Sequence, residues 1–151
     1  MSRDITTKLE ATLTIKQMAA QCGLSTYTLR YYEKIGLIKP IPRDGSSRHR
    51  RYSATTTRRV EELSYLRASG LSLDEMRRYL QLRERGGEVA AEQKALFLAH
   101  AEVIADEIRK LEIRQRYLSG KVAFWDAILN GDTDLAQQIA AQNREIAKDL
   151  K

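Results

Sequence analysis

Apolar side chains recur at three- and four-residue intervals through most of this chain, the spacing that lines one face of a helix. Ile15, Met18 and Ala19 open the pattern, Leu29 continues it, and Val60, Leu63 and Leu66 repeat it. The pattern breaks where the backbone cannot stay helical. Pro40 and Pro42 interrupt the run KPIPRDGSSR, because proline lacks an N–H and biases its predecessor to extended geometry. Gly86-Gly87 is the second break. The spacing predicts helices over about 15–21, 26–34, 54–68, 73–85, 89–129 and 134–149, with one hairpin over about 38–52 that turns at Asp44-Gly45. The expected fold class is mainly α.

Several helix starts are marked. Thr14 with Gln17, and Ser72 with Glu75, have the spacing of capping boxes, and Leu71 with Met76 is placed for a hydrophobic staple. Ser25 and Ser53 stand where caps are wanted. Gly23 suits the left-handed residue that ends a helix. The pattern Ala19-x3-Gly23-x5-Leu29 lets two short helices cross closely, as a helix-turn-helix requires.

The second half has a longer period. Phe97, Ile104, Leu111, Leu118 and Trp125 fall seven apart, and Ala101, Ile108, Gln115, Val122 and Leu129 follow four residues on. Together they form one stripe of period 3.5. It keeps phase through Ser119-Gly120, so a single helix is expected across them. Such a helix would span roughly 60 Å at 1.5 Å per residue and cannot bury its stripe alone. A homodimer satisfies it; folding back on the same chain is the alternative. Gln115, the polar member, suits a register-setting role.

Charge adds a partner class. The 151 residues carry a net +6, but residues 1–87 hold 17 Lys/Arg and 9 Asp/Glu, a net +8, while residues 88–151 hold 9 and 11, a net −2. The basic first half points to a polyanion such as nucleic acid. A lone cysteine, Cys22, excludes an internal disulfide and a multi-cysteine metal site within one chain. His49 has no second ligand at metal spacing, so no metal or cofactor is expected. No apolar run nears the roughly 20 residues of a membrane helix, and the N-terminus has no apolar signal core, so a cytoplasmic protein is expected. No nucleophile–base pair, paired acids or glycine-rich phosphate loop supports an enzyme.

The candidate contacts to DNA cluster. On the second helix they are Ser25, Thr26, Tyr27, Arg30 and Tyr31, at the end a recognition helix presents to bases and phosphates. Lys16 and Gln17 on the first helix flank them. Tyr32 is read as a core aromatic instead. Arg43, Arg48, Arg50 and Arg51 give the hairpin a charge suited to a phosphate backbone.

From Leu13 to Leu82 the chain resembles the DNA-binding domain of the MerR family of transcription regulators. The matching runs are T-I-K-Q-M-A, G-L-S-x-x-T-L-R-Y-Y-E-K-I-G-L-I, R-R-Y-S and L-R-A-S-G-L-S-L-D-E-M-R-R-Y-L. The resemblance implies a winged helix-turn-helix over 13–85 after an N-terminal tail at 1–12. It also implies an antiparallel coiled-coil dimerisation helix over 86–130, and a C-terminal helix at 131–151 that covers an effector region. It implies that Tyr27, Arg30 and the Arg48–Tyr52 stretch touch DNA, with the second helix pair acting as a second wing. It implies a homodimer on a pseudo-palindromic promoter, distorting an over-long spacer for RNA polymerase. An effector-independent repressor or architectural protein is the alternative, and a coiled-coil adaptor the reading outside DNA binding. Two departures stand out. Arg48-His49 replaces the family's frequent Gly-Tyr, and Ala54-Thr55-Thr56-Thr57-Arg58-Arg59 replaces an acidic helix start.

Metal-sensing relatives use cysteines near the end of the dimerisation helix, and this chain has none there. Cys22 fits a small packing residue in the turn better than a redox sensor. Tyr117, Phe124 and Trp125, with Leu135, Ile139, Ile146 and Leu150 of the last helix, form a candidate pocket for a small organic effector. Plain packing of that helix is the alternative.

Overall fold

The computed structural model describes residues 11–151, so most of the tail expected at 1–12 lies outside the described residues. Helix α1 runs Ile15–Cys22, α2 Thr26–Lys34, α3 Ala54–Ala68, α4 Leu73–Glu84, α5 Ala90–Leu129 and α6 Thr133–Lys148, with a 3₁₀ turn at Gly87–Val89. No strand forms among the described residues. The expected hairpin is reduced to isolated antiparallel bridges, Arg43 with Arg50 and Leu13 with Tyr52. No helix among the described residues is long and apolar enough to cross a membrane.

The helix ends sit where side chains can satisfy the first backbone amides. Thr14 and Gln17 bond each other's backbones at the start of α1, and Ser72 and Glu75 do so at α4. Ser25 and Ser53 accept from the amides of Thr28 and Thr56. Gly23 ends α1 at φ 71°, a left-handed conformation that a Cβ would resist.

The chain divides into two compact units, one ending at Ala90 and the other starting at Ala91. In the first, α1 packs on α2 and α3, and α3 on α4. Met18, Leu29, Tyr32, Ile38, Tyr52, Val60, Leu63, Met76 and Leu82 are its buried centre. Tyr32 is core, as its position suggested. The Leu13–Tyr52 bridge makes two backbone bonds, of 2.9 and 2.8 Å, and joins the approach to α1 to the approach to α3. Between α3 and α4, Glu62 accepts from the Tyr79 hydroxyl and the Arg83 guanidinium.

In the second unit, α5 is one helix of 40 residues, unbroken at Ser119-Gly120. The reason for glycine there is tertiary. A Cβ on Gly120 would stand 2.7 Å from Cγ of Asn143 on α6. Without it, Asn143 lies buried against the α5 backbone, and its amide donates to the Tyr117 carbonyl at 3.1 Å. On α5 the inner face is Tyr117, Gly120, Phe124 and Ala127; on α6 it is Ala136, Ala140, Asn143 and Ala147. These small residues let the two helices approach closely. The larger Leu135 and Leu150, expected to line the inside, are 43% and 41% exposed.

Gly120→Ala gains about 1 kcal/mol of helix propensity but displaces a buried amide worth about 1–3 kcal/mol. We expect a net loss of stability in urea denaturation. In the background of Asn143→Ala the same change becomes neutral or stabilising, so the double-mutant cycle reads a coupling of at least about 1 kcal/mol.

Candidate nucleic-acid interface

Helix α2 has two faces. Leu29 and Tyr32 are buried, whereas Tyr27, Arg30, Tyr31 and Lys34 are exposed. The exposed set falls at i, i+3, i+4 and i+7, one continuous stripe. Tyr27 is 76% exposed, an unusual position for an aromatic side chain with nothing to contact. Ser25, besides capping the helix, shares a hydroxyl bond of 2.9 Å with Thr28. The N-terminus of α2 thus presents hydroxyls and a positive helix end, a combination suited to an anion. Lys16 and Gln17 are exposed on α1, although Gln17 uses its Oε1 in the cap.

Sequence reasoning missed two members of this surface. Lys34 could have been found by carrying the Tyr27–Arg30 spacing one turn further. Arg67 could not, because it lies on α3, 39 residues from Thr28, and its guanidinium reaches the Thr28 hydroxyl at 3.4 Å.

The loop from Ile38 to Tyr52 is drawn in by its own charges. Glu33, on the last turn of α2, accepts the Ile41 amide at 3.1 Å and the Arg50 Nε at 2.7 Å. Burial works to raise the Glu33 carboxyl, but the bonds and charges of Arg50, with the Ile41 amide and Arg43, outweigh it and hold the pKa below its ordinary value. At the tip, the Asp44 carboxylate accepts the Ser46 hydroxyl and the Ser46 and Ser47 amides, which hold it well below the usual carboxylate range. This ring of bonds moves the turn away from a two-residue Asp-Gly hairpin. The left-handed position is taken by Arg48, at φ 58°. That is the residue standing where the resemblance leads one to expect glycine, and its conformation explains why glycine fits there.

The arginines of this loop are therefore not equivalent. Arg50 pairs with Glu33, Arg51 with Asp44, and Arg43 donates to the Arg48 carbonyl at 3.2 Å. Among the described residues the Arg48 side chain has no such engagement, and it is exposed. Tyr52, expected among the DNA contacts, is fully buried and belongs to the core that carries the loop. Cys22 is half-buried and unpaired, with its thiol toward the Ala19 carbonyl.

On α5, the outer stripe lies open along the described chain. Leu111, Leu118, Val122 and Trp125 are 58–63% exposed, and Leu129 83%. Ile108 and Phe97 are partly exposed, and Ile104 is half-buried. Ala101 and the polar Gln115 are exposed in the same series. Trp125 stays on this stripe, while its neighbour Phe124 turns toward α6 beside Tyr117. Of the three residues expected to gather in a pocket, only Tyr117 and Phe124 line it.

Residues 13–83 match the family described as MerR HTH family regulatory protein, and residues 57–120 match the one described as MerR, DNA binding. The uncharacterized HTH-type transcriptional regulator YyaN of Bacillus subtilis is 32% identical over 109 residues, covering 69% of this chain and 78% of YyaN. The HTH-type transcriptional regulator HmrR of Rhizobium leguminosarum is 32% identical over 106 residues, covering 70% and 81%. Among solved structures, HiNmlR, a MerR family regulator lacking the sensor domain and bound to promoter DNA, matches with TM-score 0.65 and 27% identity, covering 85% of this chain and 96% of that one. A MerR family transcriptional regulator from Listeria monocytogenes matches with TM-score 0.64 and 27% identity, covering 86% and 98%.

Two substitutions separate support from contact in the loop. Tyr52→Phe leaves DNA affinity unchanged, because the whole side chain is buried. Glu33→Gln costs about 1–2 kcal/mol of stability at neutral pH, the range for a partly exposed bond between charged groups. Because the folded state depresses the Glu33 pKa, that contribution is present above the ordinary value of 4.5 and is lost as pH falls through the lower folded value. The gap between wild type and Glu33→Gln in thermal unfolding should therefore close on acidification.

Proposed function

This chain belongs to the MerR family of helix-turn-helix transcriptional regulators, and from that premise we propose that it works as a homodimer on a pseudo-palindromic promoter site. The observation that carries the reading is the exposed stripe of α2: Tyr27, Arg30, Tyr31 and Lys34, with Arg67 bonded to Thr28 and Arg48 exposed on the loop. This is one basic, aromatic ridge supported by a packed core. Arg30 reads a base edge or holds a phosphate, and the tyrosines donate to phosphates or stack on sugars. Ser25, Thr26 and Lys16 bring further donors to the backbone, and Arg43, Arg50 and Arg51 add positive potential, with Arg48 the loop arginine whose side chain has no partner among the described residues.

Two copies supply the symmetry. Among the described residues, Leu111, Leu118, Val122, Trp125 and Leu129 of the α5 stripe stay exposed, and a second copy laid antiparallel buries them. Two α2 ridges then address two half-sites. By the family's habit, the dimer distorts an over-long promoter spacer so that RNA polymerase can engage it, and a small organic effector sets which state prevails. The protein acts where the promoter is, in the cytoplasm. In-vitro transcription decides the sign: activation from a lengthened spacer supports distortion, and repression alone supports an effector-independent repressor.

Two measurements test the core of this reading. Arg30→Ala should weaken operator binding by about 1–3 kcal/mol, and the log–log salt slope should become shallower by about 0.9 for each phosphate the variant no longer neutralises. A salt slope near zero in the wild type would overturn DNA binding. Separately, Leu118→Glu places a charge in the stripe and should shift sedimentation toward monomer while weakening operator binding.

A further inference from the structure

We propose that the groove between the C-terminal part of α5 and α6 binds a small amphipathic carboxylate, a single apolar ring carrying one anionic group. Its role as the signal rests on the regulator reading above; its existence as a binding site does not.

The groove measures about 350 Å³, within the usual range for a small-ligand site. Its walls are Tyr117 and Phe124 of α5 with Ala140 and Ala147 of α6, and its floor is the Gly120–Asn143 contact. The cavity follows from residue size. Alanines on α6 and a glycine on α5 leave room between the two aromatic rings. Asn143 spends its amide on the Tyr117 carbonyl and keeps the helices at fixed separation.

The polar lining is cationic. Lys121 stands 5.5 Å over the Tyr117 ring, and Arg144 of α6 lines the same groove. No carboxylate lines the groove. Neither cation forms an ion pair among the described residues. An apolar ligand with one negative end satisfies both halves of this lining: ring against Phe124, Tyr117 and the alanines, carboxylate against the guanidinium fork and the ammonium. Inorganic phosphate matches only the rim. It wants free backbone amides, and mid-helix segments offer none.

The dimer stripe does not compete for this space. At 3.6 residues per turn, Leu111, Leu118, Val122 and Trp125 point roughly opposite to Tyr117, Gly120, Phe124 and Ala127. A partner laid on the stripe leaves the α6 side open.

The chain carries its own reporter. Trp125 is the single tryptophan, and its ring meets Phe124 edge-on with centroids 5.2 Å apart. The full-length protein is titrated with phenylacetate, phenylacetamide and inorganic phosphate, following Trp125 fluorescence and binding heat. Phenylacetate should bind saturably, and phenylacetamide about tenfold more weakly for want of the charge. Phosphate should give no saturable signal. Arg144→Gln, a surface change that leaves the fold alone, should weaken phenylacetate toward the affinity of the amide, with Lys121 keeping part of the charge. Ala140→Phe fills the groove and should abolish binding of both. Equal binding of acid and amide, full affinity in Arg144→Gln, or no saturable signal from either ring compound would overturn the proposal. Operator binding by the ligand-free protein is measured on the same samples. If it fails while phenylacetate binds, the regulator reading falls and the groove stands. If it holds while phenylacetate does not bind, only the groove falls.

Discussion

A helix with apolar residues on two faces must cover both, and among the described residues of this chain α6 covers just one face of α5. This constraint organises the second unit. The face of Tyr117, Gly120, Phe124 and Ala127 is closed by α6, which returns after the Gly131 turn with small residues facing inward. The face of Leu111, Leu118, Val122 and Trp125 stays open. An apolar strip of this length calls for a partner, because contiguous exposed patches of that size mark interaction surfaces. The two faces also divide the labour. On the proposed reading, one sets the assembly, and the other is left free to hold a ligand without disturbing it.

In the first unit the comparable joint is Glu33. Its carboxylate bonds both to Ile41 at the beginning of the loop and to Arg50 on the loop's return. The last turn of α2 is thereby tied to both limbs of the wing. Within the wing, backbone bonds from Asp44 to His49 and from Arg51 to Pro42 join the two limbs, and Glu33 fixes that pair to the helix it assists. The charge that sequence reasoning assigned to DNA is partly used to build the surface that meets DNA.

Most helices were legible because their signals are local. The caps at Thr14, Ser25, Ser53 and Ser72 and the left-handed Gly23 depend on neighbours within four residues, and the helices begin within a residue of where the spacing puts them. Tyr27, Arg30 and Tyr31 were legible for the same reason, since i, i+3 and i+4 define a face. Arg67 beside Thr28, Glu33 under Arg50, and Asn143 on Gly120 were not, because each joins residues on different elements that no spacing rule connects. The family resemblance placed Tyr52 with the DNA contacts of the Arg48–Tyr52 stretch, whereas the structure buries it. An aromatic at the foot of a basic loop has apolar area to bury, and the Leu13 bridge draws it inward.

Arg48 shows how conformation and charge can conflict at one position. A left-handed φ of 58° favours glycine, and a non-glycine residue there costs roughly 1 kcal/mol or more. The arginine is held in this conformation by the Asp44 turn, whose carboxylate binds the Ser46 and Ser47 amides and whose carbonyl receives the Arg48 amide at 2.9 Å. The side chain gains a position at the tip of the loop, exposed and unpaired among the described residues, where the neighbouring arginines are engaged within the protein. A strained residue that extends a free cation outward is poorly explained by folding alone. Its placement makes sense if the tip meets a phosphate backbone, since one attractive contact there offsets the conformational cost only in the bound state.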